Sequence, residues 1–169
     1  WSRDGRYRDL SLAVNVSARQ FRQADFVDRV RNALKRTGAP ATRLKLELTE
    51  SLVLDNVDDT IAKMHVLKQL GVSFSMDDFG TGYSSLSYLT RLPLDQLKID
   101  QSFVQHLPGN ATDAVVAQAI ITLAQSLGLE IIAEGVETEA QRQFLALHGC
   151  PTFQGYLFSK PVALADFEA

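Results

Sequence analysis

Two periods of hydrophobicity alternate along this chain. Short β-rich runs begin near Leu12, Leu44, Val72, Leu97, Glu130 and Thr152. That is one run every ~25–30 residues, the length of a strand–helix unit. Between them, apolar residues recur at helical spacing. Phe26, Val30, Ala33 and Leu34 form one stripe, with Asp25 as candidate cap and Gly38-Ala39-Pro40 as stop. Asn56 caps a second helix bearing Val57, Ile61, Met64 and Leu67, with Gly71 beyond its end. Asn110 or Thr112 opens a third, striped by Val116, Ile120, Leu123 and Leu127 and ended by Gly128. Thr138 and Gln141 have the spacing of a capping box for a fourth, which closes at Gly149. A shorter helix is expected over Ser84–Thr90, broken before Pro93. Strands alternating with helices imply an α/β fold with a parallel sheet.

The polar residues fall where an ordinary core would not place them. Asn15, Glu47, the pair Asp77-Asp78, Lys98, Glu134 and Gln154 each sit at the C-terminal side of a predicted strand. In a parallel barrel or sheet those positions share one rim, and catalytic groups of (β/α) barrels come from that rim. In the third strand Ser73, Ser75 and Asp77 share one face, and Val72, Phe74 and Met76 the other. Small inward side chains there leave room for a polar pocket.

Composition narrows the classes. The 169 residues allow about one domain, 1–169. A net charge of −3 argues against coating DNA or RNA polymers, which calls for a basic surface. Cys150 is the only cysteine, so no internal disulfide forms, which suits a reducing, cytoplasmic compartment. No apolar run approaches the ~20 residues of a membrane-spanning helix. The first residues are polar, carry no signal-peptide core and lack an initiator Met, so the chain is expected to begin inside a longer one.

The rim suggests a chemistry. Glu47, Asp77, Asp78 and Glu134 would bring four carboxylates together, and such groups repel unless protonated or neutralised. A divalent cation resolves the conflict, with Asn15 adding a carbonyl oxygen. All-oxygen donors favour Mg²⁺ or Mn²⁺ over Zn²⁺. Adjacent aspartates with further carboxylates can hold two ions, an arrangement suited to phosphodiester hydrolysis. Lys98 adds positive charge, and Glu134 or Asp78 could accept a proton from water. Each motif alone also has a bland reading. Asp78-Phe-Gly-Thr-Gly82 could be a turn or cap, Lys98 could pair with Asp100, and Glu134 and Glu137 could be solvated. Lys45 lies deeper on its strand. His65, His106 and His148 read as core or surface residues without partners, and Cys150 as a buried small residue. The joint pattern on successive strand ends outweighs these readings.

At these residues the sequence resembles the EAL family of bacterial cyclic-di-GMP phosphodiesterases. The matching motifs are Asn15-Val-Ser17, Glu47-Leu-Thr-Glu50, Asp77-Asp-Phe-Gly-Thr-Gly82, Lys98-Ile-Asp100, Glu134-Gly-Val-Glu137 and Gln154-Gly-Tyr156, in family order. The resemblance implies a TIM-type barrel that hydrolyses cyclic di-GMP to linear pGpG. It implies metal ligation by Asn15, Glu47 and Asp77, and a place for Asp78 at the metal pair. Lys98 matches the lysine that holds the attacking water. Glu134 matches a carboxylate that is general base or metal ligand. Glu50 matches the brace of the loop over roughly Phe79–Ser85, whose Gly80 and Gly82 suit movement and which links dimerisation to activity in the family. Glu137 and Gln154 match further pocket residues, and Asp100 belongs to the lysine motif. A homodimer, and fusion to upstream sensory or diguanylate-cyclase-like domains, are also implied. Such a parent could be membrane-anchored through another segment.

One departure stands out. The Glu-Ala-Leu motif that names the family, whose glutamate is a metal ligand, is absent before Asn15, as is the arginine that follows it. A TIM barrel takes ~250 residues and at least ~200. The chain is therefore expected to be the C-terminal six of eight units, weakly active or inactive alone. Two alternatives stand beside catalysis in the parent. One is a non-catalytic cyclic-di-GMP receptor, and the other is an unrelated βα-barrel phosphate enzyme.

Overall fold

In the computed structural model, the described residues are 5–7, 9–54, 56–81 and 86–168. The expected loop residues Gly82, Ser84 and Ser85 lie outside them. Six strands form one sheet in the order β1 to β6: β1 (Leu12–Val16), β2 (Leu44–Thr49), β3 (Ser73–Phe79), β4 (Gln96–Ile99), β5 (Glu130–Ala133) and β6 (Thr152–Phe153). The pairings β1–β2, β2–β3 and β5–β6 are parallel. Four of the six strands begin on the sequence pattern's starts, β3 begins one residue later, at Ser73, and β4 one residue earlier, at Gln96. The chain divides into two compact units, residues 1–97 and 98–169, with the boundary inside β4.

In the first unit, α1 (Ala18–Phe21) and α2 (Phe26–Thr37) follow β1. α3 (Glu50–Leu54) and α4 (Val57–Gln69) follow β2, and α5 (Leu86–Leu89) follows β3. The core is built from Leu46 and Leu48 of β2, Met64 and Leu67 of α4, and Phe74 and Met76 of β3, all buried. The loop before β4 is tied to β3 by Asp95. Its Oδ2 accepts the Phe74 N–H (2.8 Å), its Oδ1 accepts Lys68 Nζ (2.5 Å), and its own N–H donates to Phe74 O (3.0 Å).

The second unit carries α6 (Gln101–Val104), α7 (Ala111–Ser126), α8 (Glu139–Leu147) and α9 (Leu164–Glu168). Ile120, Ile121 and Ala124 of α7 are buried together with Val104, Ile131, Ala133 and Leu145.

The capping signals resolve individually. Gly38 ends α2 in the left-handed conformation (φ +69°), its N–H donating to Leu34 O. Asn110, not Thr112, caps α7, accepting from the Thr112 and Asp113 N–H groups. The Thr138–Gln141 capping box is formed at α8. Asn56 caps α4. Asp25 precedes α2 but makes no side-chain capping bond; its carboxylate pairs with Arg29 instead (3.8 Å). Of the helix expected over 84–90, the described part is Leu86–Leu89. His106 and His148, read as partnerless, have partners. His106 Nδ1 lies 3.0 Å from Asp113 Oδ2, and His148 Nδ1 lies 2.7 Å from Phe144 O. The other ring nitrogen of His148, Nε2, lies 3.0 Å from Gln118 Nε2 of α7, a contact that sequence spacing does not report.

Cys150 is buried as expected, and burial pushes its thiol up to about 11. Only a thiolate alkylates at a useful rate. Iodoacetamide at pH 8 should therefore leave Cys150 unmodified in the native protein and label it in urea, as read by intact-mass spectrometry. Stoichiometric labelling without denaturant would contradict this packing.

Candidate active site

The first unit assembles its polar groups through strand register. Asn15 on β1 lies beside Glu47 on β2, and Glu47 lies beside Ser75 on β3. Asp77 follows Ser75 by two residues and so shares its face. The result is a set of oxygen-rich side chains at the carboxyl ends of three adjacent strands. The Asn15 amide faces both acids. With its NH₂ turned toward them it donates to Asp77 Oδ2 (3.3 Å) and to Glu47 Oε2 (3.2 Å). With its carbonyl turned toward them, three oxygens from three strands meet. That donor set fits a hard divalent cation, and it contains no nitrogen or sulfur ligand.

Beneath this set, Ser75 is 0% exposed and its Oγ donates to Gln96 Oε1 (3.1 Å). At the middle of β3 both faces are thus buried, and the face expected to line an open pocket is a satisfied polar layer at Ser75, while Ser73 and Asp77 on that face stay partly exposed. Ser75 was legible as a small inward residue. Gln96 was not, because nothing local marks it as a partner.

The end of β3 is turned sharply. Asp78 has a left-handed backbone (φ +52°), which costs a non-glycine residue about 1–2 kcal/mol. Its N–H donates to Asp77 Oδ1 (3.1 Å), and its carbonyl accepts from Thr81 Oγ1 (2.8 Å). Gly80 follows at φ +97°. Glu50, at the head of α3, is buried, and neither of its carboxylate oxygens has a hydrogen-bond partner among the described residues.

The second unit carries a buried ion pair. Lys98 is 4% exposed, and its Nζ lies 2.6 Å from Glu134 Oε1. Backbone pairing sets this up, since the Glu134 N–H donates to Ile99 O (3.1 Å). Asp100 does not take the lysine. It caps α6, accepting the Ser102 N–H (2.9 Å). Glu137 and Gln154 are exposed at the ends of their loops. Gln154 joins the same backbone network, its N–H donating to Ala133 O (2.8 Å) and its carbonyl accepting from Val136 (3.0 Å).

A family model described as the EAL domain matches residues 1–161. The chain belongs to the EAL family. It is 52% identical over 159 residues to cyclic di-GMP phosphodiesterase NbdA of Pseudomonas aeruginosa, covering 94% of this chain and 20% of that protein. It is 48% identical to MucR of the same organism, named as a bifunctional diguanylate cyclase/cyclic di-GMP phosphodiesterase, over 94% of this chain and 23% of MucR. A solved structure of the PaMucR phosphodiesterase in complex with c-di-GMP superposes with a TM-score of 0.93 at 46% identity, covering 97% of this chain and 66% of that one. The Klebsiella pneumoniae BlrP1 manganese/c-di-GMP complex superposes with a TM-score of 0.82 at 32% identity, covering 89% of this chain and 39% of that one. The chain thus spans about a fifth of the length of its curated relatives.

Within this EAL chain, Asn15→Asp tests the first unit's oxygen set. The substitution replaces two donated hydrogen bonds by a third negative charge. Metal-free protein should lose about 1–3 kcal/mol, the cost of leaving such acceptors without their donor. Added Mg²⁺ or Mn²⁺ should then raise the melting temperature more in the variant than in wild type. Equal metal-free melting temperatures, read by calorimetry, would show that Asn15 does not serve these carboxylates.

Proposed function

We propose that this chain is the catalytic part of a metal-dependent phosphodiesterase that hydrolyses cyclic di-GMP to linear pGpG. The observation that carries this reading is the all-oxygen set of Asn15, Glu47 and Asp77 at adjacent strand ends, on a chain 52% identical to a relative named cyclic di-GMP phosphodiesterase. In the reaction, a water oxygen forms a bond to one phosphorus and the bond to a ribose 3′ oxygen breaks. The 3′ oxygen takes up a proton and the 5′-phosphate stays on the product.

Asn15, Glu47, Asp77, Asp78 and Glu134 are the proposed ligands of one or two divalent cations, Mg²⁺ or Mn²⁺; the manganese complex of BlrP1 supports that ion class. Such ions, when bound, neutralise phosphate charge and acidify water. The chain's own residues do the rest. Lys98 holds water or a phosphate oxygen through its ammonium, and its burial keeps that charge effective. Glu134 orients the ammonium and is one candidate to accept the water's proton, with Asp78 as the other. Glu50 fits the role of bracing the loop after Asp78, because a buried carboxylate requires donors and α3, which Glu50 opens, packs against β3. Glu137 and Gln154 extend the pocket, and Gly80, at a left-handed φ of +97°, opens the loop. A homodimer, and fusion to a cyclase-like or sensory segment, complete the reading. The two activities in MucR's name support the fusion. No helix among the described residues is long and apolar enough to cross a membrane, which suits action in the cytoplasm.

Full-length protein with cyclic di-GMP and Mg²⁺ should release pGpG, seen by liquid chromatography, and EDTA should abolish turnover. Asp77→Asn and Lys98→Ala should each lower kcat by about 100-fold or more, the usual scale for lost electrostatic stabilisation. Calorimetric binding of cyclic di-GMP with no pGpG formed would instead identify a receptor.

A further inference from the structure

The loop that carries Glu134 is held by two close approaches, one against the Cβ and Cα of Gln101 and one against the main chain of Val136. Gly135 has a left-handed backbone (φ +66°). A Cβ added there would stand 2.6 Å from the Cβ of Gln101 and 3.3 Å from its Cα. Gln101 is the first residue of α6, three positions after Lys98. On the other side, a Cβ on Gly155 would stand 2.7 Å from the carbonyl carbon of Val136, and closer still to its nitrogen and oxygen. Those are backbone atoms, which cannot swing away as a side chain can.

The approaches allow a continuous set of main-chain bonds. The Val136 N–H donates to Gln154 O (3.0 Å), and Val136 O accepts from Leu157 (3.0 Å). Val136 is fully buried between these bonds. The side chain of Gln141 closes the far end of the loop. Its Oε1 accepts from the Glu137 and Thr138 N–H groups (2.8 and 2.9 Å), and its Nε2 donates to Gln105 O (3.1 Å). Residues 134–137 are therefore fastened to the head and the end of α6 and to the turn after β6. Glu134 is the residue where that fastening meets Lys98.

We propose that Gly135 and Gly155 are positioning residues, a steric clamp that fixes the loop 134–137 so that the Glu134 carboxylate stays seated on Lys98. This rests on the reading of Lys98 and Glu134 as working groups in phosphodiester hydrolysis. Neither glycine has a side chain that could act on substrate. Each acts by permitting a backbone approach, and a methyl group at either position moves the loop that carries Glu134.

Full-length protein is tested as Gly155→Ala, Gly135→Ala and the double variant Gly135→Ala/Gln101→Gly. A misplacement near 1 Å costs about 100-fold in rate. The alanine variants should lose kcat on that scale while KM for cyclic di-GMP stays within about threefold, the pattern of a lost transition-state contact. Removing the Gln101 Cβ should return at least about a tenth of the lost kcat to Gly135→Ala, because the clash is with that atom. Hydrogen exchange supplies a readout independent of turnover. The amides of Glu134 and Val136 should exchange at least about tenfold faster in the alanine variants, with Leu48 on β2 unchanged. Wild-type kcat and exchange in Gly155→Ala would overturn the clamp. So would exchange that accelerates equally at Leu48, which marks general destabilisation, or an absence of rescue by Gln101→Gly. If wild-type protein forms no pGpG, the proposed reaction fails, and the exchange rates at Glu134 and Val136 alone decide the clamp.

Discussion

The first unit's chemistry depends on the parallel register of β1, β2 and β3. Side chains on a strand alternate between faces, so a slip of one residue exchanges every inward group for an outward one. On β2 such a slip would replace Glu47 by Leu46 or Leu48 beside Asn15. Leu48 is fully buried and Leu46 nearly so, packed in the core of the unit. The same apolar residues that anchor the strand therefore hold its carboxylate at the rim. Core packing and acidic chemistry are two faces of one alignment.

The second unit solves a different electrostatic problem. A lysine as buried as Lys98 loses most of its hydration, and an unpaired charge there would be costly. Glu134 compensates at 2.6 Å. Compensation of that kind stabilises only when geometry is close to ideal, because a misplaced partner leaves desolvated charge behind. The Glu134 carboxylate is placed by main-chain bonding to Ile99 and by the fastened loop behind it, rather than by freely rotating side chains.

Much of this was legible in the sequence, for reasons that can be traced. Strand starts at Leu12, Leu44, Glu130 and Thr152 were visible because alternation and flanking turn residues are local signals. The Thr138–Gln141 capping box was visible for the same reason, as was the placing of Asn15, Glu47 and Asp77 at strand ends. What was not visible depends on distant partners. Lys98 had Asp100 two residues away, yet it pairs with Glu134 and leaves Asp100 to cap α6. Gln96 reads as an ordinary polar residue until Ser75 is packed against it. Gln141 was read only as half of a cap, while its amide also reaches Gln105. Glycines 135 and 155 stand inside the matched motifs, but sequence does not reveal how near Gln101 and Val136 come to them.

The Asn15 amide has a further consequence. Its two ends are nearly identical in shape and opposite in polarity. A half-turn about one side-chain bond exchanges a proton donor for a lone pair at a point near both Glu47 and Asp77. A third aspartate in its place could serve only one of these states, and a lysine only the other. Asparagine is thus an occupant that can vacate electrically without moving its backbone. One side chain thus offers the strand ends either polarity from a fixed backbone position.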